Sequence, residues 1–315
     1  MNKIAIIGAG AWGTALAIQA HRAGRHVTLW ARDPARVGEI AATRRNPHLP
    51  SAVLPADIIV TNTLPTADLL LLVVPVQHLR AVADRLPPGG ALVVCAKGVE
   101  LGTLALPLEI LGRPASVLTG PNFAHEVAAG LPAAALVAAD DAALCESVAA
   151  ALGTPTFRLY ASPDPIGAQI GGAAKNVIAI ASGIVIGAGL GENARAALVS
   201  RGLAEMSRLA VALGGKAETV AGLSGLGDLM LTCAGTASRN YSLGFALGGG
   251  AAMADALAGR HAVTEGVTTA PALVARARAA GVAMPICEAV AGIVGGNFSV
   301  PAAIDALLSR PRRAE

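Results

Sequence analysis

The chain changes character near residue 162. Before that point, short continuous apolar runs alternate with segments of helical spacing, whereas residues 166–310 show helical spacing and glycine breaks without a convincing strand. Continuous apolar runs of four to seven residues are typical of parallel strands that are buried on both faces. We therefore predict an α/β fold in which residues 1–162 form a doubly wound sheet and residues 163–315 form an all-α domain.

Local signals place the elements of the first domain. Strands are predicted at residues 3–7, 26–30, 57–60, 68–74, 91–96, 116–119, 132–138 and 156–160. Helices are predicted at residues 12–23, 34–42 and 141–152, the first of them stopped by Gly24. Residues 46–50 are predicted to be a loop. Asn122, which follows a Gly-Pro turn, is predicted to be the N-cap of a further helix.

The turn between the first strand and the first helix has the sequence G-A-G-A-W-G at residues 8–13. Gly8 permits the tight turn, Gly10 lets the backbone approach a phosphate, and Gly13 lets the helix pack closely on the strand. The helix N-terminus then offers free N–H groups to the anion. Because a second strand follows at βαβ spacing, we predict a Rossmann dinucleotide site that includes Gly8, Gly10, Ala11, Trp12 and Gly13.

Ligands of an open parallel sheet bind beyond the carboxyl ends of its strands, which directs attention to Gly8, Arg32, Pro75 and Lys97. An acidic residue in the place of Arg32 would hold a ribose hydroxyl, whereas an arginine suits a 2′-phosphate. The sequence therefore favours NADPH over NADH. Asp33 is adjacent, so an ordinary surface position for Arg32 stays open.

Composition limits the classes of partner. The chain is 54% hydrophobic and only 14% charged, which predicts surface hidden in an oligomer, and we expect a homodimer. No apolar run is long enough to span a membrane, since residues 177–191 contain four glycines. The formal net charge of +3 and the absence of a basic patch interleaved with aromatic residues argue against nucleic acid as a partner.

The four cysteines are far apart, with neither a C-x-x-C pair nor a histidine at the spacing of metal ligands: Cys95, Cys145, Cys233 and Cys287. We expect buried, reduced thiols, a cytoplasmic protein and no metal site.

Lys175 is the candidate proton-transfer group of the second domain. The chain contains four lysines against twenty arginines, and this lysine lies in an Ala/Gly/Ile-rich stretch at residues 171–179. Burial lowers the pKa of a lysine, which allows it to exchange protons near neutral pH. The alternative, in which Lys175 extends its amine into solvent past an apolar stem, stays open.

A third group of polar residues follows G-L-G-D-L at residues 225–229. Ser238, Arg239 and Asn240 open a predicted short helix, and they combine a hydroxyl, a guanidinium, an amide and N-terminal N–H groups. These are the groups that bind a phosphate ester. In the alternative, Ser238 is only an N-cap and Arg239 a surface charge.

Together these segments resemble the bacterial NAD(P)-dependent glycerol-3-phosphate dehydrogenases over almost the whole chain. The motifs that carry the resemblance are G-A-G-A-W-G-T-A at 8–15, W-A-R-D at 30–33, A-K-G at 96–98, G-P-N-F-A-H-E-V at 120–127, A-A-K-N-V at 173–177, G-L-G-D-L at 225–229, S-R-N-Y-x-x-G at 238–244 and V-T-E-G-V at 263–267. The tryptophan within the glycine turn, A-A-K-N-V and S-R-N-Y are far more specific than the glycines.

The resemblance implies interconversion of glycerol 3-phosphate and dihydroxyacetone phosphate with NAD(H) or NADP(H), supplying glycerol 3-phosphate for glycerophospholipid synthesis. It implies that Lys175 is the proton acceptor, supported by Asn176 and Asp228, and that Lys97 contacts both substrate and cofactor. The implied substrate contacts are Lys97, Gly120, Asn122, Lys175, Asp228, Ser238, Arg239 and Asn240. The implied cofactor contacts, besides the glycine turn, are Arg32, His48, Lys97, Ala124, Arg239, Val263 and Glu265.

Two positions depart from the commoner family pattern. Asn122 stands where serine or threonine is usual, and His125 stands where lysine or arginine is frequent. An asparagine can still donate and accept a hydrogen bond, so Asn122 can still contact substrate.

Two other classes of protein compete with this interpretation. One is another two-domain Rossmann dehydrogenase, such as a 3-hydroxyacid dehydrogenase or a ketopantoate reductase, which acts on an unphosphorylated substrate. The other is a dinucleotide sensor without catalysis, which would have no need of a protected lysine.

Overall fold

The computed structural model describes residues 1–258 and 263–311. The chain forms two compact units, one comprising Met1–Lys97 and Ala105–Gln169, the other Gly98–Leu104 and Ile170–Glu315. The domain boundary near residue 162 remains a prediction.

The first unit contains an eight-stranded sheet and a two-stranded hairpin. The ten strands are β1 (Lys3–Ile7), β2 (His26–Trp30), β3 (Arg45–Asn46), β4 (Leu49–Val53), β5 (Ile59–Thr61), β6 (Leu69–Leu72), β7 (Ala91–Val94), β8 (Ser116–Thr119), β9 (Ala133–Ala138) and β10 (Phe157–Ser162). The large sheet has the order β10-β9-β8-β7-β6-β1-β2-β5. The six strands from β8 to β5 are parallel, in the arrangement of a Rossmann sheet.

Strands β9 and β10 run against the other six. β9 is antiparallel to β8, with Thr119 opposite Leu136, and β10 is parallel to β9. Therefore only the strands from β8 to β5 end at the edge where ligands bind in such a sheet.

Alternate residues of the central strands contribute side chains to two hydrophobic cores, one on each face of the sheet. Ile4 and Ile6 belong to one apolar cluster, while Ala5 and Ile7 belong to the other. A strand turns successive side chains to opposite faces, so this division confirms the predicted double winding.

Residues 46–50 are not a loop, as the sequence suggested. Asn46 and Leu49 pair across a tight turn, and β3 and β4 form an antiparallel hairpin. The prolines of this segment hid the strands from sequence analysis, because proline is disfavoured in central strands but tolerated in edge strands and turns.

Six helices belong to the first unit: α1 (Ala11–Arg22), α2 (Pro34–Thr43), α3 (Val76–Ala83), α4 (Pro107–Leu111), α5 (Ala124–Ala129) and α6 (Ala142–Leu152). Three side chains at the end of α1 bind distant backbone carbonyls. Gln19 donates to Leu152, Arg22 to Val127 and Ala128, and Arg25, just beyond the helix, to Ala150 and Ala151. Arg22 and Arg25 thereby bind backbone carbonyls in the last turns of α5 and α6.

Asn122 is not the N-cap of α5. The helix begins at Ala124 with Phe123 at the N-cap, and Asn122 instead donates from Nδ2 to the carbonyl of Ala134 at 3.1 Å. Because Phe123 keeps an extended backbone, Asn122 is one residue too early to cap the helix.

The helix α7 (Pro165–Gly187) leads from the first unit into the second. The other helices described in the second unit are α8 (Gly191–Ala212), α9 (Ala217–Ala221), α10 (Asp228–Cys233), α11 (Arg239–Gly248), α12 (Met253–Leu257), α13 (Glu265–Ala279), α14 (Pro285–Val294) and α15 (Val300–Leu308). A π-helical turn, Leu223–Gly227, precedes α10. No strand occurs in the described part of this unit, which agrees with the all-α prediction.

The helix α7 is long and apolar enough to cross a membrane by length and composition alone, although the sequence analysis found no such segment. Uninterrupted apolar runs in the sequence are shorter than a membrane span, whereas the mean hydropathy of a helix can stay high when a few polar residues interrupt it. The structure buries 89% of the most apolar 18-residue stretch of α7, as expected for the central helix of a globular core.

Glycines allow α7 and α11 to cross at backbone contact. A Cβ on Gly183 or Gly187 of α7 would strike the carbonyl oxygens of Tyr241 or Phe245 on α11. Conversely, a Cβ on Gly244 of α11 would strike the carbonyl oxygen of Ile180. The crossing brings Asn176 of α7 and Asn240 of α11 within hydrogen-bond distance, at 2.9 Å.

Candidate active site

The glycine turn of the first unit has the geometry expected from its sequence. Gly8 has φ +126°, and a Cβ there would lie 2.5 Å from the carbonyl oxygen of Val73. A Cβ on Gly13 would overlap the carbonyl oxygen of Gly8, so α1 packs directly on the turn. Gly10, at the N-cap, has nothing within 4 Å of its Cβ position, and no side chain caps the helix there.

A buried asparagine braces this turn. Nδ2 of Asn46 donates to the carbonyl of Ala9 at 2.9 Å and to Oγ1 of Thr14 at 2.7 Å. Its Oδ1 accepts from the backbone N–H of His48 at 3.0 Å, which ties the exposed His48 to the glycine turn. Sequence analysis missed Asn46, because an asparagine beside a proline is usually assigned to a turn.

The carboxyl ends of the parallel strands bring other predicted residues to one edge of the sheet. Arg32 follows β2 and is exposed, Lys97 follows β7 and is half-buried, and Gly120 follows β8 with φ +155°. Ala124 begins α5 a few residues beyond Gly120.

Asp33 has a structural role that separates it from Arg32. Its carboxylate caps α2 by accepting from the backbone N–H of Ala35 at 3.0 Å. The carboxylate of Asp33 is therefore bound to the N-terminus of α2.

Lys175 lies on α7 in the second unit and is buried, with 8% of its surface exposed. Its amine nitrogen is 3.1 Å from Oδ1 of Asp228 and 2.8 Å from Oγ1 of Thr232. The hydroxyl of Thr232 lies close to Asp228, 2.6 Å from its carbonyl oxygen and 3.2 Å from Oδ1. Lys175 therefore does not extend into solvent, and its surroundings are not purely apolar, because a carboxylate and a hydroxyl face its amine.

Close backbone packing creates this arrangement. A Cβ on Gly171 of α7 would lie 2.6 Å from the carbonyl oxygen of Ser224, in the π-helical turn that leads into α10. Asp228 is the first residue of α10, and Thr232 lies one helical turn further on the same face. The glycines near Lys175 thus let α7 approach the segment that supplies both partners.

A second polar group surrounds Asn176. Its Nδ2 donates to Oε2 of Glu265 at 3.2 Å, and its Oδ1 accepts from Nδ2 of Asn240 at 2.9 Å. Oδ1 of Asn240 accepts from the backbone N–H of Gly266 at 3.0 Å. These three hydrogen bonds form a ring, because they connect Glu265 through Asn176 and Asn240 to Gly266, the next residue of α13.

The remaining predicted residues of this unit closely precede members of the ring in sequence. Ser238 is the N-cap of α11, with its hydroxyl accepting from the backbone N–H of Tyr241, and Arg239 is the first, exposed residue of that helix. Val263 is exposed, two residues before Glu265. Sequence analysis did not single out Thr232, although its spacing of four from Asp228 on a helix was an available signal.

The four cysteines are buried and free, as expected. Among residues 1–258 and 263–311, no group of three or more potential metal-ligating His, Cys, Asp or Glu side chains occurs.

The glycine turn fits the pyrophosphate of a dinucleotide. The open face at Gly10, the uncapped N-terminus of α1 and the backbone packing at Gly13 are the three features that such a group requires. A Rossmann sheet with this turn, together with a helical unit holding a buried lysine–carboxylate pair, defines a dinucleotide-dependent oxidoreductase.

Comparison with known proteins identifies the family. The model described as NAD-dependent glycerol-3-phosphate dehydrogenase N-terminus matches residues 3–145, and the one described as its C-terminus matches residues 164–305. The chain belongs to the NAD-dependent glycerol-3-phosphate dehydrogenase family. The match covers both the sheet and the helical region, so it favours neither of the two alternatives weighed from the sequence.

Individual relatives agree. The chain is 56% identical over 319 residues to a glycerol-3-phosphate dehydrogenase (NAD(P)+) of Acidiphilium cryptum, covering 99% of this chain and 98% of the relative. It is 53% identical over 322 residues to the enzyme of that name from Gluconobacter oxydans, with coverage of 99% and 98%. The crystal structure of a glycerol-3-phosphate dehydrogenase from Coxiella burnetii has a TM-score of 0.93 at 36% identity, covering 98% of this chain and 99% of that one.

Proposed function

We propose that the protein interconverts sn-glycerol 3-phosphate and dihydroxyacetone phosphate with NAD(P)(H), and so supplies glycerol 3-phosphate for glycerophospholipid synthesis. The observation that carries the proposal is the buried amine of Lys175, held between Asp228 and Thr232 in a chain that matches this family over nearly its full length.

When bound, the dinucleotide would accept the hydride from C2 in the oxidative direction and supply it in the reductive direction. The backbone N–H groups at the start of α1 and the open face at Gly10 bind its pyrophosphate, and Ala11, Trp12, His48, Lys97, Ala124, Arg239, Val263 and Glu265 are the further proposed contacts. Arg32 binds a 2′-phosphate. The carboxylate of the adjacent Asp33 does not take the place of an acidic residue that holds the ribose hydroxyl, because it caps α2. NADP(H) is therefore the preferred cofactor.

Lys175 carries the proton. In the oxidative direction its neutral amine accepts the proton of the C2 hydroxyl as the C2–H bond breaks, and in the reductive direction its ammonium donates a proton to the carbonyl oxygen. Asp228 stabilises the ammonium electrostatically, and Thr232 orients it with a hydrogen bond. Asn176, the next residue of α7, positions this helix against Asn240 and Glu265.

The phosphate group of the substrate requires hydrogen-bond donors from the protein. The exposed guanidinium of Arg239 and the side chains of Ser238 and Asn240, at the N-terminus of α11, supply them. Lys97, Gly120 and Asn122 complete the proposed substrate contacts.

We also propose that the protein is a cytoplasmic homodimer. The low content of charged residues and the presence of large exposed apolar side chains on the second unit, such as Met230 and Phe245, favour burial against a second copy. The four free cysteines favour a reducing compartment.

Initial rates of dihydroxyacetone phosphate reduction with NADPH and with NADH test the function, with ketopantoate as an unphosphorylated comparison. We expect turnover with the phosphorylated substrate, and a raised KM for it in Arg239→Ala. Tight NADPH binding without turnover would instead support a sensor, and faster reduction of ketopantoate would support the other dehydrogenase class.

A further inference from the structure

Helix α13 begins with a threonine that does not cap it. Thr264 occupies the N-cap position with an extended backbone, φ −94° and ψ 90°, yet its side chain makes no capping hydrogen bond. Its hydroxyl is buried and has no partner among the described residues. A threonine at an N-cap ordinarily accepts from the N–H of the second or third helical residue, here Gly266 or Val267.

Asn240, from a different helix, occupies that role instead. Its Oδ1 accepts from the backbone N–H of Gly266 at 3.0 Å. The approach depends on the glycine, because a Cβ on Gly266 would lie 2.7 Å from Oδ1 of Asn240 and 2.8 Å from the carbonyl oxygen of Asn176. The N-terminus of α13 is therefore capped by a residue of α11, while its own threonine stays unpaired.

Both the oxygen and the nitrogen of the Asn240 side-chain amide make hydrogen bonds within the protein. Oδ1 accepts from Gly266, and Nδ2 donates to Oδ1 of Asn176. Turning Nδ2 toward a substrate oxygen withdraws Oδ1 from Gly266 and leaves a buried backbone N–H without an acceptor, which is unfavourable. Thr264 is the N-cap residue of α13, and the hydroxyl of an N-cap threonine can accept that hydrogen bond.

We propose that Thr264 is a positioning residue for substrate binding, whose hydroxyl takes over the N–H of Gly266 when Asn240 turns to the phosphorylated substrate. The proposal rests on the proposed function, in which Asn240 contacts the substrate. It also accounts for the buried hydroxyl of Thr264, which has no partner among the described residues.

Thr269 provides a matched control. It lies on the same helix, is fully buried, and its hydroxyl likewise has no partner among the described residues, but it is not at the N-cap. Thr264→Val and Thr269→Val each replace an unpaired hydroxyl by a methyl group of similar size. Thr264→Ser keeps the hydroxyl.

We expect Thr264→Val to raise KM for dihydroxyacetone phosphate on the order of fivefold to tenfold, as for the loss of a helix cap. Its dissociation constant for NADPH, measured by fluorescence titration, should match that of the wild type. Thr264→Ser and Thr269→Val should keep the wild-type KM. Without ligands, Thr264→Val should unfold at no lower temperature than the wild type, because its hydroxyl is unpaired there.

Three results would overturn the proposal: an unchanged KM in Thr264→Val, an equal rise in Thr269→Val, or a lower unfolding temperature of unliganded Thr264→Val. Should Thr264→Val not fold, Thr264→Ala replaces it in the same comparison. These outcomes presuppose an active wild type. A wild type without turnover on dihydroxyacetone phosphate would overturn the proposed function, and this inference with it.

Discussion

The amine nitrogen of Lys175 lies 3.1 Å from Oδ1 of Asp228, and only 8% of the lysine and 2% of the aspartate are exposed. A buried charge is costly unless it is paired, so the two side chains depend on each other. In the proposed mechanism, the pair gives the ammonium of Lys175 an anionic partner before it donates its proton.

Replacing Lys175 tests the proton-transfer role directly. Lys175→Ala should lower kcat by about 10² to 10⁴-fold, the usual contribution of a positioned acid–base group. Lys175→Arg should not restore activity, because a guanidinium stays protonated and cannot accept the hydroxyl proton. Rates of glycerol 3-phosphate oxidation measure both, with NADPH binding as the control for folding. Near-native kcat in Lys175→Arg would falsify the general-base role.

Thr232→Val should lower kcat more than it raises KM for dihydroxyacetone phosphate. The variant removes the hydrogen bond to the amine of Lys175 at 2.8 Å while preserving volume. A lost hydrogen bond to a charged group corresponds to about 1.5–3 kcal/mol, or roughly 10- to 100-fold in rate. Thr232→Ser should retain most of the rate. Equal activity of the serine and valine variants would remove Thr232 from the mechanism.

Arg32→Ala should raise KM for NADPH far more than KM for NADH. The loss of one charge-assisted contact to a 2′-phosphate corresponds to about 1.5–3 kcal/mol. Steady-state kinetics with both cofactors at saturating substrate measure the difference. If both KM values change equally, Arg32 does not contact the 2′-phosphate.

Two glycine substitutions should act in opposite directions on stability. Gly244→Ala drives a Cβ into the carbonyl oxygen of Ile180, which should destabilise the protein by about 1–3 kcal/mol. Gly38→Ala, in the interior of α2 with open space at the Cβ position, should stabilise it by about 0.5–1 kcal/mol. Denaturant unfolding measures both. A harmless Gly244→Ala would show that the helices at this crossing can separate.

Glu205 should make stability depend on pH. Burial raises the pKa of its carboxyl from 4.5 to about 7, although the N–H groups of Ile286 and Cys287 and the charge of Arg208 lower it. The folded state then holds a proton that the unfolded state releases, so its contribution to stability is complete below about pH 4.5 and is lost as the pH rises to about 7.

Glu205→Gln should remove this decline, which we expect to be on the order of 1–3 kcal/mol between pH 4.5 and 7.5. Glu146→Gln, at an exposed position of α6, is the control. Urea unfolding across this pH range provides the measurement. A wild-type curve parallel to that of Glu205→Gln would contradict the assignment.

The central sheet and its glycine turn were predictable because their signals are local. Each buried parallel strand is a short apolar run, and the predicted strand at 116–119 coincides with β8. The antiparallel direction of β9 was not predictable, since it depends on how the strand packs in the finished sheet. The β3–β4 hairpin is local, but the prolines at residues 47 and 50 concealed its strands. Contacts between distant parts of the chain were not predictable either. The brace from Asn46 to Ala9, for example, spans 37 positions.

For the candidate site, the sequence indicated individual residues but not their geometry. Lys175 was identified because lysine is scarce and its surroundings are apolar, and the structure agrees on its burial. The ring through Asn176, Asn240 and Glu265 was not predictable, because it requires the packing of three helices far apart in sequence. Thr264 gave no signal at all, since an N-cap threonine ordinarily caps its own helix.

The anchoring of α1 has a consequence for the order of events during synthesis. The helix that follows the glycine turn leaves the ribosome before the segments that bind its side chains. Gln19 and Arg22 find their distant partners 105 to 135 positions later in the chain. Because these bonds cannot form until the end of the first unit has been synthesised, the glycine turn gains its full support only after that point in translation. A chain truncated before residue 127 would carry the G-x-G-x-x-G motif without these supports.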